Sequence, residues 1–212
     1  LIMQMMEHAG MWSARLVASQ YPNAKKITIL CGPGNNGGNG IAMARFLKNW
    51  GYTPQLILTH PESQMKDVPM HHLAHVQQMD IPVTESSSEQ SALFLKDTDV
   101  LIDAMIGYNL TGDPREPIAT LIKQLNASPK PVIAIDNPSG LDMSTGKPTS
   151  HCIQADETIT LALPKLPLYE KTAHEYVGRL FLVDLGIPDF IYLQLGIDIE
   201  PGLFKESSFF EI

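Results

Sequence analysis

The sequence predicts an α/β fold in which a mostly parallel central sheet is covered by helices on both faces. Short β-branched apolar runs alternate along the chain with stretches of helical periodicity. The apolar runs are continuous, without the in/out alternation of a half-exposed sheet, so each predicts a strand buried on both sides. With 212 residues, 44% of them hydrophobic and 18% charged, the chain can bury a sizeable core and does not have a disordered composition. No internal repeat, low-complexity tract or linker interrupts it, so one domain over residues 1–212 is expected.

The elements follow in order. Residues 1–19 carry Ile2, Met5, Met6, Ala9, Trp12 and Leu16 at helical spacing. Met3, Met5 and Met6 read as core or interface packing. Lys26–Cys31 (KITILC) predicts a strand that ends in a glycine-rich loop, Gly32–Gly40. A helix is expected over Gly40–Trp50, stopped by Gly51, and then a second strand over Thr53–Thr59. Pro69–Met79 reads as a helix. Its His71, His72 and His75 lack a carboxylate partner in sequence and read as a solvated face, not a metal site. Ile81–Thr84 is a short strand candidate, and Ser86–Ser88 opens another helix. Asp99–Asp103, Pro131–Ile135, Glu157–Leu161 and Leu180–Val183 are further strands. Pro117 suits the first position of a helix over Ile118–Leu125. Ile191–Ile212 is a weakly patterned tail expected to dock on the surface or to mediate a contact.

Bulk properties remove several function classes. The net charge is −8 and no Lys/Arg cluster occurs, which argues against a nucleic-acid surface. Two cysteines without CxxC spacing, Cys31 and Cys152, make no disulfide framework and suit a reducing, cytoplasmic setting. No apolar run reaches membrane-spanning length, so no membrane partner is expected. Leu1 is not an initiator methionine, which leaves room for native residues ahead of it.

The chemistry concentrates after three strands. In an open parallel sheet, ligands sit beyond the carboxyl ends of the strands. Here those ends lead into Gly32–Gly40, Gly107–Asp113 and Asp136-Asn137-Pro138-Ser139-Gly140. The first loop matches GxGxxG at Gly32, Gly34 and Gly37, between a strand and a helix, a pattern that lets backbone amides approach a phosphate. An ordinary NAD dehydrogenase also places an acid at the end of its second strand, whereas this strand ends in Thr59-His60. No GK[ST] follows the glycines, which removes a P-loop, and Ser139 lies in NPSGL, which removes a nucleophile elbow. Asn36, Asp103 and Ser139 supply hard oxygen or amide ligands, suited to an alkali or alkaline-earth cation and not to zinc. Asp103 and Asp136 could each be a helix cap or turn former, and Asp136 could instead face a ligand and move a proton if its neighbours raise its pKa.

Taken together, MEHAG at Met6–Gly10, GPGNNGGNG, IDA at Ile102–Ala104 with GYNLTGDPREP, IDNPSGLDMSTG, and ADETITLALPK followed by YVGRLFLVDLGIP resemble the NAD(P)H-hydrate epimerases over residues 1–188. The resemblance implies a three-layer αβα Rossmann-like sandwich and a homodimer. It implies that the enzyme interconverts the R and S forms of hydrated NADH and NADPH (NADHX and NADPHX). A separate dehydratase then restores the coenzyme; that domain, often fused behind the epimerase, is not expected within these residues. By position, Asn35, Asn36, Gly37, Gly38, Asn39, Gly107, Tyr108, Asn109, Leu110, Thr111, Gly112, Asp113 and Asp136 would contact the substrate. Asn36, Asp103 and Ser139 would hold a potassium ion. Asp136 would be the catalytic acid/base.

Three departures stand out. The family loop reads NNGGDG, and Asn39 replaces its Asp; an amide exchanges hydrogen bonds but takes up no proton as a base. His8 replaces the Asn of MENAG, and Asn137 replaces a residue that is usually apolar. The change at Asn39 also suits a second function class: a catalytically impaired nucleotide-binding or scaffold protein on the same fold. A sugar or nucleotide kinase would need a magnesium–ATP motif that the chain lacks.

Overall fold

A computed structural model describes residues 1–212. In chain order the elements are α1 (Ile2–Gln20), β1 (Lys26–Cys31), α2 (Asn35–Asn49), β2 (Thr53–Leu58), α3 (Asp67–Gln77), β3 (Val83–Glu85), α4 (Glu89–Lys96), β4 (Val100–Ala104), α5 (Ile118–Asn126) and β5 (Val132–Ile135). A small hairpin of β6 (Leu141–Asp142) and β7 (Lys147–Pro148) follows, then β8 (Glu157–Leu161), α6 (His174–Val177), β9 (Arg179–Val183), α7 (Asp189–Gln194) and β10 (Phe209–Glu211). Eight strands form one sheet in the order β10-β9-β8-β5-β4-β1-β2-β3. Every pairing is parallel except β10 with β9.

Alternate residues of each central strand enter opposite layers, which is why the runs read as continuously apolar. Ile27, Ile29, Leu56, Ile102 and Ile133 pack with α1, α2 and α3 on one face. Leu30, Ile57, Leu101 and Val132 pack with Phe94 of α4 and Leu121, Ile122 and Leu125 of α5 on the other. The predicted three-layer αβα sandwich is therefore the observed one. No helix is long and apolar enough to cross a membrane.

Tertiary burial, not local capping, holds α1. It has no side-chain cap, yet it buries Met6, Leu16 and Val17. Each such burial is worth roughly 1.5–3 kcal/mol, against about 1 kcal/mol for an N-cap. The MEHAG segment ties this helix to three neighbours. Glu7 pairs with Arg45 of α2 and lies 3.6 Å from the buried His72 of α3. His8 Nδ1 sits 2.9 Å from the Leu185 carbonyl, where the chain leaves β9. The substituted His8 thus locks α1 to the sheet.

Three expectations need correction. Helix α2 begins at Asn35, five residues ahead of the expected Gly40, so most of the glycine-rich loop is helical. Glycine disfavours a helix interior by roughly 0.8–1.0 kcal/mol, and close packing overrides that preference here. Pro117 precedes α5 as its N-cap and is not its first residue. His72 is buried, because it shares a face with Pro69, Leu73 and Val76, while His71 and His75 stay exposed. Burial pushes the His72 imidazole below the ordinary histidine value. The tail docks on the body as expected: Phe209–Glu211 adds an antiparallel strand to the sheet edge, clamped by the Arg179–Glu211 pair at 2.7 Å.

Candidate functional site

The parallel strands point the same way, so their carboxyl ends share one edge. From β1 the chain runs outward to β2 and β3, and from β4 it runs the other way, which opens a crevice between β1 and β4. A cavity of about 400 Å³ occupies that crevice. A second, more apolar one of about 260 Å³ lies against α1, lined by Met5, Met6, Leu161 and Leu185. Asn35, Asn39 and Asp136 line both, and so mark the junction between them.

Helix α2 aims its N-terminus at this crevice. Its first helical bond runs from Gly38 N–H to the Gly34 carbonyl, so the amides of residues 35–37 have no acceptor within the helix. No side chain caps them and no acid occupies the first turn, which suits an anionic ligand. The glycines that follow serve packing. A Cβ on Gly37 would lie 1.8 Å from the Gly32 carbonyl oxygen, and one on Gly38 would lie 2.4 Å from the Met6 sulfur. Both residues are buried and neither lines either cavity.

At the end of β4, Asp103 is fully buried. Its Oδ1 accepts from Ser139 Oγ at 2.6 Å and from the Met105 amide at 3.1 Å, and its Oδ2 accepts from the Ser139 amide at 2.7 Å. Burial raises this carboxyl to about 6 from an ordinary 3.8, against the pull of those hydrogen bonds. It belongs to no ion pair. Ser139 Oγ in turn accepts from the Ile106 amide at 2.8 Å. Asn36 reaches the same residue: its Nδ2 donates to the Ile106 carbonyl at 3.2 Å and to the Ile135 carbonyl at 3.0 Å. Asn36 Oδ1 is buried and has no hydrogen-bond partner. Asn36, Asp103 and Ser139 therefore converge around Ile106.

At the end of β5, Asp136 has a left-handed backbone, with φ of 71°. Its side chain is 16% exposed and faces the cavities. Lys165 Nζ sits 2.9 Å from Asp136 Oδ1 and also donates to Thr160 Oγ1 at 2.8 Å and to the Leu161 carbonyl at 3.1 Å. The Tyr108 amide lies 3.3 Å from Asp136 Oδ2. Asn137, next in the chain, is buried; its Nδ2 donates to the Pro138 carbonyl at 3.1 Å and its Oδ1 is unpartnered.

Of the residues singled out in sequence, Asn35, Asn36, Asn39, Gly107, Tyr108, Asn109 and Asp136 line the larger cavity. Leu110, Thr111, Gly112 and Asp113 do not line it. Asp113 is turned outward, where its Oδ1 accepts from the Ser150 amide at 2.9 Å. Lys165 escaped sequence reasoning, although it closes the ADETITLALPK block; its position after a strand end was the available signal.

The family described as the YjeF-related protein N-terminus matches residues 2–167. An NAD(P)H-hydrate epimerase of Plasmodium vivax is 33% identical over 206 residues, covering 91% of this chain and 70% of the relative. One of Caenorhabditis elegans is 32% identical, covering 84% and 74%. The bifunctional NAD(P)H-hydrate repair enzyme of Pyrobaculum aerophilum is 35% identical over 97% of this chain, which spans 41% of that enzyme's length. The crystal structure of the yeast protein ynu0 superposes with a TM-score of 0.85 at 24% identity, covering 100% of this chain and 90% of that one, and so has the same fold. The chain belongs to the family of the YjeF-related protein N-terminus, together with these NAD(P)H-hydrate epimerases.

Proposed function

We propose that this protein is an isomerase that interconverts the R and S forms of hydrated NADH and NADPH, with Asp136 as its acid/base and Lys165 as the residue that positions it. The observation that carries this is the placement of Asp136. Its carboxylate lies at the junction of two cavities and is tied to Lys165 at 2.9 Å. The reaction asks for one group that can give and take a proton beside the ring. The hydroxyl on C6 of the hydrated ring neighbours N1. A proton delivered to that hydroxyl lets it leave as water, while the N1 lone pair forms the C6=N1 iminium. Water then adds to the opposite face of C6 and returns a proton, so atoms and charge balance. The α2 amides and the Gly107–Asn109 wall would hold the dinucleotide while this occurs.

Potassium is part of this reading, and the residues fit it. A buried, orphaned Asn36 Oδ1 and a buried Asp103 carboxylate without a cation are hard oxygen donors in search of positive charge. Asn36, Asp103 and Ser139 would hold the ion. It would supply fixed positive charge beneath the substrate loops, orienting them without carrying out chemistry. The relatives named bifunctional repair enzymes support a dehydratase as the companion activity, and we read the working form as a homodimer.

Asn39 favours the second reading, a binding or scaffold protein, because it places an amide at both cavities where the family has an acid. Retention of the Asp136–Lys165 pair weighs on the side of catalysis. Supplying R-hydrated NADPH to an S-specific dehydratase separates the two. Added protein should accelerate coenzyme recovery, more so with potassium. No acceleration with or without potassium would favour the binding reading.

A further inference from the structure

Strand β2 leaves the sheet beside β1. Cys31 pairs with Leu58, and the Thr59 amide donates to the Cys31 carbonyl at 3.0 Å. Thr59-His60 therefore emerges next to Gly32–Gly34. The Lys66 amide donates to the Pro33 carbonyl at 3.0 Å, which pins the base of α3 to the same turn. His60 and Lys66 both line the larger cavity, and Asp136 is its only acidic lining residue.

The Lys66 ammonium is not used elsewhere. Lys66 joins no ion pair, although the protein carries a net charge of −8. Its acidic neighbour Glu62 is turned to α3, where Oε1 accepts from Gln77 Nε2 at 2.8 Å. His60 Nδ1 is engaged with Thr59 Oγ1 at 2.8 Å, which leaves Nε2 for a ligand. In dinucleotide folds the residue at the second strand's exit meets the ribose. An acid there accepts from a free 2′-hydroxyl, and a cation there accommodates a 2′-phosphate.

We infer that His60 and Lys66 form a receptor for the ribose phosphate monoester of the dinucleotide, so that the hydrate of the phosphorylated coenzyme is preferred over that of the unphosphorylated one. The identity of the ligand rests on the epimerase reading; the receptor itself rests on the β2 exit. The orphan amides of α2 would then meet the pyrophosphate common to both coenzymes, and His60 and Lys66 would meet the group that distinguishes them.

Two measurements test this, one of them independent of turnover. By calorimetry, adenosine 2′,5′-bisphosphate should bind roughly tenfold more tightly than 5′-AMP, a ratio that Lys66→Gln removes and Lys66→Arg retains. In the dehydratase-coupled assay the ratio of kcat/KM for NADPHX over NADHX should fall by a similar factor in Lys66→Gln and further in a His60→Gln/Lys66→Gln double variant. Thermal melts of the two Lys66 single variants should match the unmodified protein, since Lys66 is exposed. Equal binding of the two nucleotides, or a ratio untouched by Lys66→Gln, would overturn the inference. So would equal weakening for both ligands, which would assign the two side chains to a shared phosphate. A protein that shows the binding preference yet epimerises neither hydrate would overturn the epimerase reading and leave the receptor standing.

Discussion

The exits of β4 and β5 look alike in sequence and behave differently in the structure. Each is an apolar strand ending at an aspartate. Asp103 is wholly buried, satisfied by Ser139 and Met105, and pushed by burial to about 6. Asp136 reaches the cavities, takes a left-handed backbone and meets a lysine at 2.9 Å. One carboxylate ties loops together from within; the other is presented to the cavities. Neighbouring strand ends can thus divide structural and chemical roles, and burial together with counter-charge decides which strand end takes which role.

The sharpest way to break this contrast is Asp136→Asn. The amide keeps the shape and loses the proton relay, so kcat for hydrate epimerisation should fall by roughly 10²–10⁴-fold, with the melting temperature little changed. Unchanged epimerisation would remove Asp136 from the chemistry. At the other exit the effect should appear in stability. Without a cation, the folded state binds the Asp103 proton more tightly than the unfolded chain does. That contribution is full below 3.8 and lost as pH rises through about 6. A gap of roughly two pH units corresponds to about 3 kcal/mol. In choline buffers stability should therefore drop across that window. Potassium should flatten the drop, and Asp103→Asn should abolish the difference between the two salts. Identical melting curves in potassium and choline at neutral pH would remove the cation from this site.

The strand exits were legible because a buried strand is a continuous apolar run, and an acid or serine just beyond it marks the carboxyl edge of the sheet. Asp103, Asp136 and Ser139 could be found that way. The early start of α2 could not. Asn35–Gly40 has poor helix propensity, and the close approach of Gly37 to Gly32, of Gly38 to Met6 and of Gly40 to Ala104 is a tertiary feature that propensity does not carry. His72 was misread because its burial depends on how α3 rolls onto α1 and α2. Lys165 was missed because it lies far from Asp136 in sequence, and its role arises when the chain turns back over the end of β8.

That turn supports a smaller test of the same contrast. If Lys165 only positions Asp136, Lys165→Gln keeps a donor near Asp136, Thr160 and Leu161 and should lower kcat by roughly tenfold, less than Asp136→Asn. KM should change little, and Lys165→Arg should recover part of the loss. A fall as deep as that of Asp136→Asn would instead make the lysine a proton donor in its own right.

The smallest effect separates the two exits by what lies beside them. Asn137 follows Asp136 and precedes the Ser139 that serves Asp103, and it is buried with one amide oxygen unpartnered. An unsatisfied buried polar atom costs roughly 1–3 kcal/mol, partly offset here by the bond from Nδ2 to the Pro138 carbonyl. Asn137→Val removes both the cost and the bond, and should raise stability by about 1 kcal/mol in denaturant titration. If the segment merely spaces the two aspartates, epimerisation and its potassium response should both persist in the variant. Loss of the potassium response with retained stability would mean that Asn137 belongs to the buried Asp103 cluster; loss of epimerisation alone would attach it to Asp136.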